Sequence, residues 1–306
     1  MGNKEAIEYL SKFPAIRVLL GKWIEKELSS DKAKHPLIRW LRKSEPNSQA
    51  VTCATKQKMS ATAVIRADML TLHHNHLSHL ENVLSLLSDE SRLKGFLDHL
   101  RSPSDFWQGY AEVECAALFK KRFGRVEIEP HLRNCRKVEF RFFLDEAPIY
   151  VEVAAPKSGS KFQDVLSQYS APVGKRPKAF GVPDSRDRVK DAILQQFEHF
   201  RGNDILGLIV YNVDECEFDG EDIADRFQGT PILKIYTDMT TGESVTRPGR
   251  EPDYVLINDP ELENFGGVVA YERKFDLNGK VTYETDLIRI AFSISQMENI
   301  GQAFKP

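Results

Sequence analysis

The chain has 306 residues, 41% of them hydrophobic and 28% charged, the composition of a soluble globular protein of about two domains. Its 42 lysines and arginines stand against 45 aspartates and glutamates, and a net charge of −3 does not by itself point to nucleic acid. No apolar run approaches the ~18 residues of a membrane span and no signal peptide opens the chain, while four scattered cysteines without a C-x-x-C pair exclude a disulfide framework or thiolate zinc site, which fits a reducing, cytoplasmic setting.

Residues 1 to 100 read as a helical region. E-A-I-E-Y-L-S-K-F, A-I-R-V-L-L-G-K-W-I-E-K-E-L and H-P-L-I-R-W-L-R-K carry apolar residues at helical spacing, and S-E-P-N-S-Q breaks the pattern. A long helix follows, from A-V-I-R through L-S-L-L, and then E-S-R-L-K-G-F-L-D-H-L. The region is expected to pack apart from the sheet that follows, and its leucine-rich faces suit a homodimer. In the long helix His73, His74, His76 and His79 invite a metal. Steps of three drift around the axis, however, and no nearby carboxylate completes a triad, so solvated histidines are expected.

Residues 104 to 157 read as one amphipathic helix and three short strands. Phe106, Tyr110, Val113, Ala117 and Phe123 share helical spacing, Ser104 or Asp105 can cap the start, and Gly124 marks the end. Within the helix, A-E-V-E-C-A-A-L places Glu112 or Glu114 where it can lean over the sheet. V-E-F-R-F-F-L and I-Y-V-E-V form a hairpin about D-E-A-P. With the turn centred between Asp145 and Glu146, Glu139 lies opposite Glu152, where Cβ atoms stand about 4.5–5.5 Å apart. Like charges that close need an offset, and hard oxygen donors suit Mg²⁺ or Mn²⁺. Alternation puts Val138, Phe140, Phe142 and Leu144 on one face of the second strand. Ile149, Val151 and Val153 form the apolar face of the third, with Tyr150, Glu152 and Ala154 opposite.

Lys120, Lys121, Arg122, Arg125, Arg133, Arg136, Lys137 and Arg141 crowd the helix end and first strands, and a second basic stretch runs from Lys157 to Lys178. Both suit phosphates bordering a carboxylate pocket. A second helix, D-R-V-K-D-A-I-L-Q-Q-F-E-H-F, precedes an apolar strand, I-L-G-L-I-V-Y. Beyond it P-I-L-K-I-Y-T, D-Y-V-L-I-N, F-G-G-V-V-A-Y-E-R and K-V-T-Y-E read as strands that extend or flank the sheet, with D-L-N-G-K as a hairpin turn. L-I-R-I-A-F-S-I-S-Q-M reads as a last strand or helix. No GxGxxG, P-loop, GxSxG or HExxH motif is present.

The order of helix, three strands, helix and strand, with these acids, resembles the PD-(D/E)XK phosphodiesterase superfamily over residues 104 to 212. The resemblance implies an α/β (α+β) fold: a mixed central sheet of the restriction-endonuclease-like type in residues 101–306, with a β-rich C-terminal extension, behind a helical region in 1–100. It implies a Mg²⁺ or Mn²⁺ site made by Glu139, Glu152 and the Val153 carbonyl. Glu112 matches the first-helix glutamate, and Gln195 or Gln196 the glutamine of the following helix. Val138 and Glu139 replace the Pro-Asp of the pattern, and a longer carboxylate can still ligate. Ala154 stands where the lysine belongs that would orient water and stabilise developing charge. Either Lys157 or Lys190 serves instead, or the site is silent. A second match, Pro252, Asp253, Glu272 and Lys274, is the rival site. The resemblance thus implies a metal-dependent nuclease acting on DNA before RNA; the alternative is an inactive nuclease fold that binds nucleic acid or acts as a scaffold.

Overall fold

The computed structural model describes residues 3–30, 35–42, 61–90, 92–132, 137–156, 200, 205–214, 223–224, 227, 231–237, 244–250, 265–276 and 278–305. The N-terminal periodicity becomes α1 (Asn3–Leu10), α2 (Pro14–Leu28), α3 (Pro36–Leu41), α4 (Ala61–Leu87) and α5 (Lys94–Arg101). Proline occupies the first turn of α2 and α3, where an N–H has no helical partner to lose. Phe13 cannot cap α2 with its own side chain. Glu81 of α4 does so, accepting from the backbone N–H groups of Ala15 and Ile16 at 2.8 and 2.9 Å, a carboxylate at the positive end of a helix. Among the described residues no helix is long and apolar enough to cross a membrane.

These helices do not pack apart from the sheet. Leu10, Ile16, Leu41, Leu80 and Leu100 belong to one continuous core with Phe119, Phe140, Phe142 and Val151. The element between them is α6 (Phe106–Phe123), buried from Gly109 to Phe119 because α4 and α5 cover one side and the sheet the other. It stops at Gly124, whose φ of +79° suits a residue without Cβ. The same layering corrects the expected solvation of the histidines. His73 is buried, His76 stacks on Trp40 with ring centroids 4.8 Å apart, and His79 meets Glu114. Of the four, His74 is the exposed one, and it pairs with the Tyr9 hydroxyl at 2.7 Å.

The sheet is mixed and six-stranded, in the order β1 (Val126–Ile128), β2 (Phe140–Leu144), β3 (Ala147–Ala154), β4 (Leu206–Asn212), β7 (Phe265–Phe275), β8 (Val281–Arg289). The first three strands are antiparallel neighbours, β3–β4 and β4–β7 are parallel, and β7–β8 is an antiparallel hairpin. β5 (Pro231–Thr237) and β6 (Ser244–Arg250) form a separate two-stranded hairpin. The β2–β3 turn holds Asp145 and Glu146 at φ +50° and +65°, the primed two-residue type that matches strand twist. The Leu144–Ala147 and Phe140–Val151 pairs carry the register that sets Glu139 against Glu152.

Phe140, Phe142, Leu144, Ile149, Val151 and Val153 face the helical core, as alternation predicts. A second core on the other face contains Ala154, Ile209, Tyr211, Phe265 and Val268. Val138 joins that second core rather than the face of Phe140, because β2 begins only at Phe140 and the alternation does not reach back past Glu139. At the C-terminus β7 and β8 extend the sheet, Asp276 closes their turn by accepting from the N–H groups of Asn278 and Lys280, and α7 (Ile294–Gly301) starts on a Ser293–Gln296 capping box. D-Y-V-L-I-N and the second helix with its glutamines lie outside the described residues.

Candidate active site

The site forms where β2 and β3 part. Backbone pairing between them ends at Phe140 and Val151, yet β3 continues to Ala154, so its edge presents N–H and C=O groups that no strand covers. Side chains take them instead. Glu139 Oε2 accepts from Val153 N at 3.2 Å. The Gln108 carboxamide accepts from Ala155 N at 2.8 Å and donates to the Val153 carbonyl at 2.7 Å, as a neighbouring peptide group would. Those two bonds orient the amide, and its Nε2 also donates to Glu112 Oε1 at 2.9 Å.

Three carboxylates therefore meet at one fork. Glu112 and Glu152 are fully buried and Glu139 is half-buried. The Glu139 and Glu152 carboxyls interact and both are raised, so the pair retains a proton to higher pH than a free carboxyl would. Burial first, then the charge of Glu152 and of Glu112, push Glu139 well above the usual carboxylate range. Burial likewise raises Glu152, with Glu112 adding to it. Glu112 is raised by burial although His99 and Gln108 pull the other way. His99 of α5 gives Nδ1 to both Glu112 oxygens, at 2.9 and 2.8 Å, and this bond raises the imidazole pKa.

Carboxylate and carbonyl oxygens are donors of the kind that a hard divalent cation takes. Removing the retained proton leaves two carboxylates facing each other, and charge neutralisation by a cation is the ordinary resolution. The Tyr211 hydroxyl, fully buried on the face of Glu152 and Ala154, feels the Glu152 charge and has no hydrogen-bond partner among the described residues. A buried orphan of this kind marks room for a bound water or ligand oxygen. Among the described residues no group of three or more His, Cys, Asp or Glu side chains is arranged to hold a metal. Mg²⁺ typically keeps several positions for water and phosphate.

Of the residues expected at the site, Glu112, Glu139, Glu152 and Val153 come together; Lys157, Lys190, Gln195 and Gln196 lie outside the described residues. Ala154 is buried in the second core. In the rival motif Asp253 lies outside the described residues, and Lys274 pairs with Glu272 at 3.2 Å and Glu284 at 2.6 Å on an exposed strand face. Four of the eight basic residues are paired: Lys120 with Asp89 and Glu90, Lys137 with Glu129, Arg125 and Arg141 with Glu127, while Arg133 and Arg136 lie outside the described residues. Glu127 and Glu129, interleaved with the run, neutralise part of it.

Sequence reasoning missed Gln108, although it stands one turn before Glu112 on the same helix face. It also missed His99, and it offered Glu114 as an alternative to Glu112 without its partner Arg273. Glu114, two residues from Glu112, is fully buried and accepts from Arg273 Nε and Nη2 at 2.8 and 2.6 Å, from the Tyr271 and Tyr283 hydroxyls, and meets His79 Nε2 at 2.6 Å. Burial alone would raise this acid; the Arg273 charge outweighs it and holds Glu114 far below the usual range. No family model, curated protein or solved structure matches the chain.

Proposed function

We propose that the protein is a Mg²⁺- or Mn²⁺-dependent phosphodiesterase acting on nucleic acid, with Glu139 and Glu152 as the metal-holding carboxylates. The observation that carries this reading is the meeting of Glu139, Glu152 and Glu112 at the β2–β3 fork, where burial raises all three acids. Clusters of raised carboxylates are common at sites that bind cations or move protons. Glu139 and Glu152 would each supply an oxygen, and the Val153 carbonyl a third once Gln108 yields its bond. Bound there, the metal would acidify a water and neutralise charge growing on a phosphoryl oxygen. The Tyr211 hydroxyl, its pKa raised by burial, keeps its proton and serves as a donor to a water or phosphate oxygen beside Glu152. DNA is the favoured substrate over RNA.

Ala154 supports a second reading, a nuclease-like fold that binds nucleic acid without cleaving it. Labelled single- and double-stranded DNA and RNA oligonucleotides with Mg²⁺ or Mn²⁺ separate the two. The phosphodiesterase reading expects cleavage that Glu152→Ala abolishes. Cleavage that appears only after Ala154→Lys favours the silent fold. Cleavage in neither protein removes the support for an enzyme.

A further inference from the structure

At the fork of β2 and β3 no described residue fills the post of the absent lysine, but an imidazole stands within the same hydrogen-bond chain. His99 Nδ1 is committed to Glu112, Glu112 is held by Gln108, Gln108 by the Val153 carbonyl, and Val153 N donates to Glu139. The approach that makes this chain is specific: a Cβ at position 109 would lie 2.7 Å from His99 Cβ and from Leu100 N, so only glycine lets α5 come close enough for His99 to reach Glu112, one turn along α6. The His99 side chain is 48% exposed, and its Nε2 makes no hydrogen bond among the described residues. A buried carboxylate on Nδ1 fixes the tautomer that carries its lone pair on Nε2, the arrangement that turns an imidazole into a positioned base.

Resting on the phosphodiesterase reading, we infer that His99 is the proton acceptor for the attacking water, with Glu112 and Gln108 as the residues that position it. As the water oxygen bonds to phosphorus, its proton passes to Nε2. The bond from phosphorus to the departing sugar oxygen breaks, and that oxygen takes a proton from solvent. The charged groups facing the ring, Glu112 on α6, Asp105 before it and Glu139 before β2, are all carboxylates and all favour the protonated imidazole that results.

Two measurements on the full chain test this. In the metal-free protein, ¹⁵N spectra of the ring should show neutral His99 protonated on Nδ1, and Glu112→Gln should lower its pKa and mix the tautomers. A ring protonated on Nε2 overturns the inference. With Mn²⁺ and labelled DNA and RNA oligonucleotides, His99→Ala should bind Mn²⁺ as wild type does, cleave about 10²-fold more slowly, and regain rate with added imidazole. Full activity in His99→Ala, or a loss that imidazole does not restore, sinks the role of His99 and leaves the metal site standing. Loss of Mn²⁺ binding only in Glu152→Ala, with no cleavage by wild type of any substrate, sinks the enzymatic reading and His99 with it.

Discussion

Helix α6 carries two buried carboxylates two residues apart, and they live in opposite electrostatic worlds. Glu114 points to β7 and β8, where Arg273 forks onto both its oxygens and packs over the Tyr110 ring at 4.1 Å, two tyrosine hydroxyls and His79 fill its remaining acceptor sites, and Asp214 braces the guanidinium from behind at 3.1 Å. Glu112 points to the β2–β3 fork, where its neighbours are two more carboxylates, an amide and a half-exposed imidazole. The first centre is densely paired: Arg273 lies between Glu114 and Asp214, although its Nη1 makes no hydrogen bond among the described residues. It ties α4, α6, β7 and β8 together. The second holds three raised acids and, among the described residues, a Tyr211 hydroxyl without a hydrogen-bond partner.

The largest effect should come from breaking the densely paired centre. Arg273→Ala leaves Glu114 charged and buried without its partner, and such single-sided losses cost about 3–5 kcal/mol. Chemical denaturation should show that drop, while Glu112→Gln, Glu139→Gln and Glu152→Gln should not. A stability change of under about 1 kcal/mol in Arg273→Ala would mean the network is not what holds these elements together.

The two centres should also bend the pH profile in opposite senses. Glu139 and Glu152 are raised in the folded state, so the metal-free folded chain binds more protons than the unfolded one, and stability should fall as pH rises from near 4.5 through about 7, the level to which Glu152 is pushed. Glu114 is lowered, so its contribution is present above the ordinary value of 4.5 and is lost as pH falls below it. Glu152→Gln nearly keeps the side chain's shape and removes a charge. It should flatten the loss between pH 5 and 8 by about 1–3 kcal/mol, on the scale of ~1.4 kcal/mol per pKa unit. Thermal melts across that range check it; a slope the same as wild type would assign the titration elsewhere.

A smaller effect tests the packing on the Glu112 side. Gly109→Ala forces α5 away from α6, and overpacking of this kind costs about 1–3 kcal/mol. It should lower the pKa of His99, whose elevation comes first from the Glu112 bond, without disturbing Glu114. An unchanged His99 titration would show that the bond survives the displacement.

Much of this was legible in the sequence. The hairpin register followed from an Asp-Glu turn and a constant pairing sum, and strand alternation then put Glu152 and Ala154 on one face of β3. The helix bounds were read from Gly124 and the apolar period. What failed depended on contacts between elements. Local periodicity cannot see where β2 stops, so Val138 was assigned to the wrong core. It cannot see that α4 is covered on both sides, so the histidines were expected in water. His99 reaches Glu112 only because two helices meet at Gly109. Arg273 was the avoidable miss: in E-R-K, with Glu272 and Lys274 turned out, alternation sends the arginine between them inward.

The central claim is that the carboxylate centre holds a divalent cation through Glu139 and Glu152. Calorimetric titration of the intact chain with Mn²⁺ at pH 6 and pH 8 tests it most directly. One site is expected, tighter at pH 8 because the retained proton must leave, lost in Glu139→Ala and Glu152→Ala and kept in His99→Ala. Equal binding by wild type and Glu152→Ala, or no binding by wild type at pH 8, would contradict the account.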